Sequence, residues 1–458
     1  MKAFTPATCR TWHGRLTTGS AGLRPHPGSR RSLHAVIAAS RSQPPVRGSA
    51  PGWASRGQKD AGYGRNGVSS VRTLITDEKT NSAGRQAPPF AFAFDIDGVL
   101  LHVAKPIPGA PEALRYLQQH HIPFILLTNG GGKHETERVA DLSAKLGVPL
   151  SVDNFVQSHT PFQELAHGHN AAAWAASTGL PQGEKLEALK DQNILVTGSD
   201  AGKARAIAEA YGFRHVITPA DILAAHPAIY PFDPLLEDLY AATARPLPSP
   251  APRIAAIFVF NDPRDWALDI QLITDLLQSE RGVLGTYSAR NGEAWQGDGQ
   301  PALYFSNHDL VWSASYHLPR LGQGAFQAAV AGVWHEITAG AAPLRRTTIG
   351  KPYELTYSYA ERVLADYRAR FLAPGTLETE TKEKEGGLRR VYMVGDNPES
   401  DIRGANEYAS PLGTAWESVL VRTGVWSEAR GRPRHEPRVI IDDVKAAVEW
   451  ALKKEGWE

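Results

Sequence analysis

The chain holds one cysteine in 458 residues, Cys9, and it stands in a leader of unusual composition. From Phe90 onward there is no disulfide framework, no thiolate metal site and no catalytic thiol. Any metal held there must be bound by oxygen or imidazole, which favours magnesium over a structural zinc. Long apolar runs are missing as well. The runs FAFAF (90–94), FILL (124–127) and IAAIFVF (254–260) are strand-length. None approaches the roughly 18–20 residues needed to span a bilayer. A soluble body without a membrane span is predicted.

Acid is scarce at the start. Up to Ile75 a single carboxylate, Asp60, stands against basic residues running from Lys2 and Arg10 to Arg72. The formal net charge of +1 therefore hides a body that is net acidic by about ten charges. No long basic stripe remains to meet phosphates, so nucleic acid is excluded as a partner. Residues 1–88, rich in Arg, Ser, Gly and Pro, fit a mitochondrial transit peptide, with the matrix as destination. The plainer alternative is a disordered basic tail, and Pro25, Pro27, Pro44 and Pro45 limit helix there. A secretory signal is disfavoured, because the apolar stretch 35–39 is shorter than an h-region of about 7–15 residues.

What is present begins at Phe90. A continuous apolar run predicts a parallel strand buried on both faces. It delivers Asp95-Ile96-Asp97-Gly98-Val99 to the carboxyl end of the strand, where open α/β sheets place ligands. Of two carboxylates two positions apart, one can serve as nucleophile and metal ligand, the other as acid and base beside the leaving group. A merely metal-binding or capping acidic loop is the alternative. Pro108-Gly109-Ala110-Pro111 then opens a predicted helix, and a second strand, 124–127, ends in Thr128-Asn129-Gly130-Gly131-Gly132. A hydroxyl at a strand end followed by glycines suits phosphate: Thr128 donates its O–H, and the backbone N–H groups of Asn129 and Gly130 face the anion.

A second constellation lies far along the chain. Gly350-Lys351-Pro352 precedes a periodic run over 353–364, which places Lys351 just before a helix with Pro near its first position. A cation there can neutralise a nucleophilic carboxylate and a phosphoryl oxygen together. After a charged loop over 378–387, Val391-Tyr392-Met393-Val394-Gly395-Asp396 predicts another strand ending in an acid, with Asp401 five residues on. Asp396 is placed to bind metal. Asp401 is placed to fix the metal shell or hold Lys351, or to cap a helix.

These four segments, Asp95-Ile96-Asp97-Gly98-Val99, Leu127-Thr128-Asn129, Gly350-Lys351-Pro352 and Gly395-Asp396-Asn397 with Asp401, resemble the four ordered motifs of the haloacid dehalogenase-like hydrolases. The resemblance is closest to subfamily IIA. Within it, Asn261-Asp262-Pro263-Arg264-Asp265-Trp266, Ser306-Asn307-His308-Asp309-Leu310-Val311-Trp312 and Gly350-Lys351-Pro352-Tyr353-Glu354-Leu355-Thr356-Tyr357 look like the cat eye syndrome critical region protein 5 group. It departs from other members in Gly130-Gly131, where a bulkier pair is usual, and in a long insert.

The resemblance implies a doubly wound, Rossmann-like parallel-sheet core carrying an inserted α/β cap of the C2 type. It implies that Asp95 attacks phosphorus and binds Mg²⁺, and that Asp97 protonates the leaving group, activates water and lends its backbone carbonyl to the metal. Thr128 and Lys351 would hold the phosphoryl group, Asp396 would bind Mg²⁺, and Asp401 would support that shell. Dehalogenases lack an acid at the position of Asp97, whereas phosphatases need one.

The organisation expected is therefore a leader (1–88), a first part of the core (89–132), a cap (133–348) and a second part of the core (349–458). Cap strands are predicted over 194–197, 254–260 and 302–305, with helices over 201–211 and 269–278. Leu321-Gly322-Gln323-Gly324 is read as a turn back to the core. Asn307, His308 and Asp309 either face the substrate or form a buried pair. The cap should close over the leaving group, with glycines near Gly132 and Gly350 as hinges. The activity expected is hydrolysis of a small phosphorylated metabolite; a catalytically quiet mitochondrial scaffold on the same fold is the alternative. A dinucleotide oxidoreductase is disfavoured because no G-x-G-x-x-G follows the first strand. Oligomeric state is left open.

Overall fold

The computed structural model describes residues 87–178, 187–312, 314–372 and 387–457. The expected leader, apart from its last two residues, and nearly all of the charged loop over 378–387 lie outside the described residues.

Two parallel sheets dominate. The first has six strands in the order Val439–Ile441, Ala415–Val421, Arg390–Gly395, Phe90–Phe94, Phe124–Leu127, Phe155–Val156, every neighbouring pair parallel. Its centre is the FAFAF strand, whose period-two alternation decides what lies on each face. Phe90, Phe92 and Phe94 join the cluster built by Ala113, Leu114 and Leu117 of the helix Ala110–Gln119, Val139, Leu142 and Leu146 of Glu135–Leu146, and Val444, Val448 and Ala451 of Val444–Lys454. The small Ala91 and Ala93 face the other way, where Tyr357, Ala360 and Leu364 of the helix Glu354–Ala369 need the room. Helices on both faces make the sheet doubly wound.

The second sheet has five strands in the order Thr347–Thr348, Ala302–Phe305, Ala256–Val259, Asn193–Thr197, His215–Ile217, again all parallel. It lies in sequence between the third and fourth strands of the core. Leu195, Ile257 and Phe305 pack under the helices Trp266–Gln278 and Gln323–Ile337. Val196, Phe258 and Tyr304 face Ala204, Ile207 and Ala208 of Ala201–Ala210, together with Phe162 and Trp174. Among the described residues no helix is long and apolar enough to cross a membrane.

Three expectations change. The chain does not leave the core at Lys133: the helix Glu135–Leu146 packs on the core, and Phe155–Val156 extends its sheet beside Phe124–Leu127. A two-residue strand leaves no periodic trace in sequence. Leu321-Gly322-Gln323-Gly324 does not turn back to the core but starts the 15-residue helix Gln323–Ile337. Finally, the two proposed hinge glycines are tied down. Gly132 donates its N–H to His159 Nε2 (3.3 Å), and Gly350 donates to Thr356 Oγ1 (2.7 Å).

Candidate active site

The strand order explains why residues three hundred positions apart meet. Phe90–Phe94 pairs with Arg390–Gly395 on one side and with Phe124–Leu127 on the other. Asp95, Asp396 and Thr128 therefore emerge side by side at the carboxyl edge, where the chain runs off in different directions from adjacent strands.

Asp95, Asp396 and Asp401 are buried and offer carboxylate oxygens within 4.8 Å of one another. Lys351, only 1% exposed, reaches in from the second part of the core. Its Nζ lies 2.5 Å from Asp95 Oδ1 and 2.7 Å from Asp401 Oδ1. Asp401 Oδ2 accepts from the backbone N–H groups of Asp396 (3.1 Å) and Asn397 (3.0 Å). Asp401 is thus fully engaged in holding the lysine and the loop. The helix-cap role falls instead to Asn397, whose side chain accepts from Glu399 N.

Burial pushes the Asp95 carboxyl up to about 7, Lys351 pulling it down and Asp401 pushing it further up. Burial likewise raises Asp396 well above the carboxylate range, and its neighbours Asp95 and Asp401 add to that. Burial alone would depress Lys351; Asp401 and Asp95 outweigh it and hold the ammonium above the usual lysine value. With all three carboxyls ionised, one ammonium would leave a surplus of two negative charges, which adds to burial in pushing the carboxyls of Asp95 and Asp396 up. A divalent cation among Asp95 and Asp396 balances that surplus and suits an all-oxygen donor set, so the residues fit the Mg²⁺ that the sequence implied.

Asp97 stands at the mouth, its side chain 55% exposed, with Arg138 Nη2 3.8 Å from its Oδ2. Crowding by the cleft walls raises its carboxyl above the usual range, against the pull of Arg138 and Lys351. Thr128 is buried beside it and its Oγ1 accepts from Gly130 N (3.0 Å), which curls the glycine loop round the hydroxyl. Asn129 does not point into the cleft as a simple phosphate donor. Its amide bridges to the backbone of Lys351 and to Asp309 of the insert. Asp309 is therefore neither an isolated surface acid nor half of a buried His–Asp pair: His308 is exposed and meets Tyr353 Oη (3.2 Å). Burial lifts the Asp309 carboxyl to about 6, with Asn129 and Lys351 pulling it down.

One loop went unnoticed in the sequence. After the strand Ala415–Val421, Thr423 Oγ1 donates to Gly98 O (2.5 Å), and Val425 N–H donates to Asp396 Oδ2 (2.6 Å). A side-chain carbon on Gly424, or on Gly98 (φ +91°), would run into Asp396. The signal available was a glycine just past a strand adjoining the site. Arg138 gave no signal, being one charge on an amphipathic helix.

Comparison with known proteins agrees with this geometry. Residues 92–214 match the family described as haloacid dehalogenase-like hydrolase, and residues 348–447 match one described as HAD-hydrolase-like. The chain is 39% identical over 376 residues to a mitochondrial hydrolase of Saccharomyces cerevisiae, covering 80% of this chain and 96% of that protein. It is 39% identical over 391 residues to a cardiolipin synthase (CMP-forming)/mitochondrial hydrolase fusion protein of Schizosaccharomyces pombe, covering 85% of this chain but only 57% of that protein. Among solved structures, a hypothetical protein of Pyrococcus horikoshii aligns with a TM-score of 0.49 at 18% identity, over 79% of this chain and 99% of the other. A 4-nitrophenylphosphatase of Thermotoga maritima aligns with a TM-score of 0.44 at 16% identity, over 79% of this chain and 96% of the other.

Proposed function

The chain belongs to the haloacid dehalogenase-like hydrolases, and on that footing we propose that it is a Mg²⁺-dependent phosphoric monoester hydrolase acting on a small phosphorylated metabolite in mitochondria. The observation that carries this reading is Lys351 Nζ bridging Asp95 and Asp401 within a buried cluster of three carboxylates.

Asp95 and Asp396, with the backbone carbonyl of Asp97, would hold Mg²⁺, which supplies Lewis-acid neutralisation of the phosphoryl oxygens. Thr128 and Lys351 bind those oxygens and set the phosphorus in line with the Asp95 carboxylate, the Gly130 N–H being given to Thr128 Oγ1 rather than to the anion. Attack by an Asp95 oxygen forms the aspartyl-phosphate as the ester P–O bond breaks, and Asp97 gives its proton to the departing alkoxide. Asp97, now ionised, takes a proton from water, whose oxygen attacks phosphorus and releases phosphate, regenerating Asp95. The raised carboxyl of Asp97 keeps it protonated for the first step more often than an ordinary aspartate. The insert would serve as a cap over the site, a reading supported by the hydrogen bond from Asn129 Nδ2 to Asp309 Oδ2.

Both curated relatives carry the word mitochondrial in their names, which supports the location implied by the basic leader. The deciding experiment is turnover of a panel of phosphorylated metabolites with Mg²⁺, repeated after chelation. Hydrolysis of none of them, by folded protein with Mg²⁺, would remove the proposal.

A further inference from the structure

Asn129 holds an unusual position between the two sheets. Lys351 N–H can only donate, so Asn129 Oδ1 must face it (2.7 Å), which turns Nδ2 toward Lys351 O (2.9 Å) and Asp309 Oδ2 (3.0 Å). One side-chain amide thus clamps both backbone polar groups of Lys351. Asp309, an acceptor-only carboxylate from the insert, holds the amide in that orientation.

Asp309 is itself held. Its N–H donates to Asn307 Oδ1 (3.1 Å), and its carbonyl accepts from Gly324 N (2.9 Å). Asn307 N–H donates to Gln323 Oε1 (2.9 Å), Gln327 Nε2 donates to Asn307 O (2.6 Å), and Asn307 Nδ2 donates to Asn129 O (3.3 Å). Both glutamines are buried at the start of the helix Gln323–Ile337. A polar chain with no gap runs from that helix through Asp309 and Asn129 to Lys351, and so to Asp95.

We propose that Asp309 is a positioning residue: by fixing the Asn129 amide it sets the Lys351 backbone, and with it the ammonium that holds Asp95 and Asp401. The insert then does more than cover the leaving group; it completes the reaction centre of the core. The catalytic consequence rests on the phosphatase reading above, whereas the structural consequence for Lys351 does not.

The test compares full-length wild type, Asp309→Ala and Asp309→Asn by two readouts. The first is kcat and KM for 4-nitrophenyl phosphate with Mg²⁺. The second is modification of Lys351 by an amine-reactive reagent, measured by mass spectrometry without added metal. Asp309→Ala should lower kcat by about 100-fold, the scale of a small misplacement in a reaction centre, with KM little changed and Lys351 labelling raised several-fold. Asp309→Asn keeps an oxygen facing Asn129 Nδ2 and should recover most of both. Asp309→Leu fills the same space without an acceptor and replaces the alanine variant if that does not fold. Unchanged kcat and labelling in Asp309→Ala would overturn the inference. So would equal losses in the alanine and asparagine variants with Lys351 still protected, since charge would then matter and position would not. If the wild type hydrolyses no ester, the phosphatase reading fails and the labelling comparison alone decides: a rise in Asp309→Ala that Asp309→Asn reverses supports the inference, and no rise overturns it.

Discussion

Tyr211, at the end of the insert helix Ala201–Ala210, donates its phenolic hydrogen to Glu135, the first residue of the core helix Glu135–Leu146. The same phenolic oxygen meets His159 Nδ1 at 2.8 Å, and Thr160 Oγ1 donates to the same Glu135 oxygen at 2.6 Å. All four side chains are buried. The insert is therefore anchored to the core by a satisfied polar knot, not merely connected by its two chain crossings, one after Phe155–Val156 and one near Gly350. Tyr211→Phe removes one donor from Glu135 and leaves His159 Nδ1–H unpaired in the interior, a cost of about 1–3 kcal/mol. Chemical denaturation should show that loss, and hydrogen exchange should quicken over the loop after Phe155–Val156. Exchange confined to Tyr211 itself would mean that the knot does not hold the two parts together.

The carboxylate pair makes a prediction of its own. Asp95→Asn removes the nucleophile and should abolish turnover. Asp97→Asn leaves attack possible but takes away the proton donor and the base for water, so turnover should fall severely and an aspartyl-phosphate should accumulate, seen by intact-protein mass. Wild-type rates in Asp95→Asn would end the mechanism.

For the metal, the unbalanced charge among Asp95, Asp396, Asp401 and Lys351 is the guide. Mg²⁺ should raise the melting temperature of the wild type, since a ligand at 100 times its Kd contributes about 2.7 kcal/mol to the folded state. Activity lost on chelation should return with Mg²⁺, and Asp396→Ala should blunt both effects. Activity that survives exhaustive chelation would exclude the site.

The basic leader is testable in cells without reference to catalysis. Residues 1–81 fused to a reporter should carry it into mitochondria. A reporter that stays in the cytosol would contradict the targeting reading.

The apolar runs made the strands legible: FAFAF, FILL and the segment before Asp396 are each a continuous apolar run of strand length ending in a polar residue. The three residues at their ends, Asp95, Thr128 and Asp396, were legible for the same reason. Other parts depend on tertiary context. Phe155–Val156 is too short to have a period. Gln323 was read within a turn between Gly322 and Gly324, yet it is buried in a helix with Gln327, and both bond to the backbone of Asn307. Asn129 was legible as a residue near phosphate but not as a clamp on Lys351, since nothing local announces a partner 222 positions away. The glycine pair at 130–131 shows the same dependence. A side-chain carbon on Gly131 would press on the His159 ring, which belongs to the knot described above.

His159 also makes acid stability predictable. Gly132 N–H donates to its Nε2, so the proton sits on Nδ1, where it reaches the Tyr211 oxygen while Tyr211 donates onward to Glu135. The ring is fully buried and stacks on Phe260 at 5.2 Å. Burial lowers its pKa from 6.5 to about 4, with Glu135 opposing. The native protein therefore keeps a neutral imidazole over a range where the unfolded chain takes up a proton. A histidine depressed in this way contributes stability that is fully present above about 6.5 and is lost as pH falls toward 4. By pH 5 the loss from this group comes to about 2 kcal/mol. Asp95, Asp396 and Asp309 are raised and push stability the other way with pH, but they are common to any pair of proteins differing only at His159. The comparison is unfolding free energy at pH 7 and pH 5 for the wild type and for His159→Gln, which keeps polar atoms near Tyr211 and does not titrate. The variant starts less stable at pH 7 because the stacking on Phe260 is gone, and its drop between the two pH values should be smaller by that margin. Parallel pH profiles would show that His159 is protonated in the folded protein, and the hydrogen-bond order from Gly132 to Glu135 would have to be reversed.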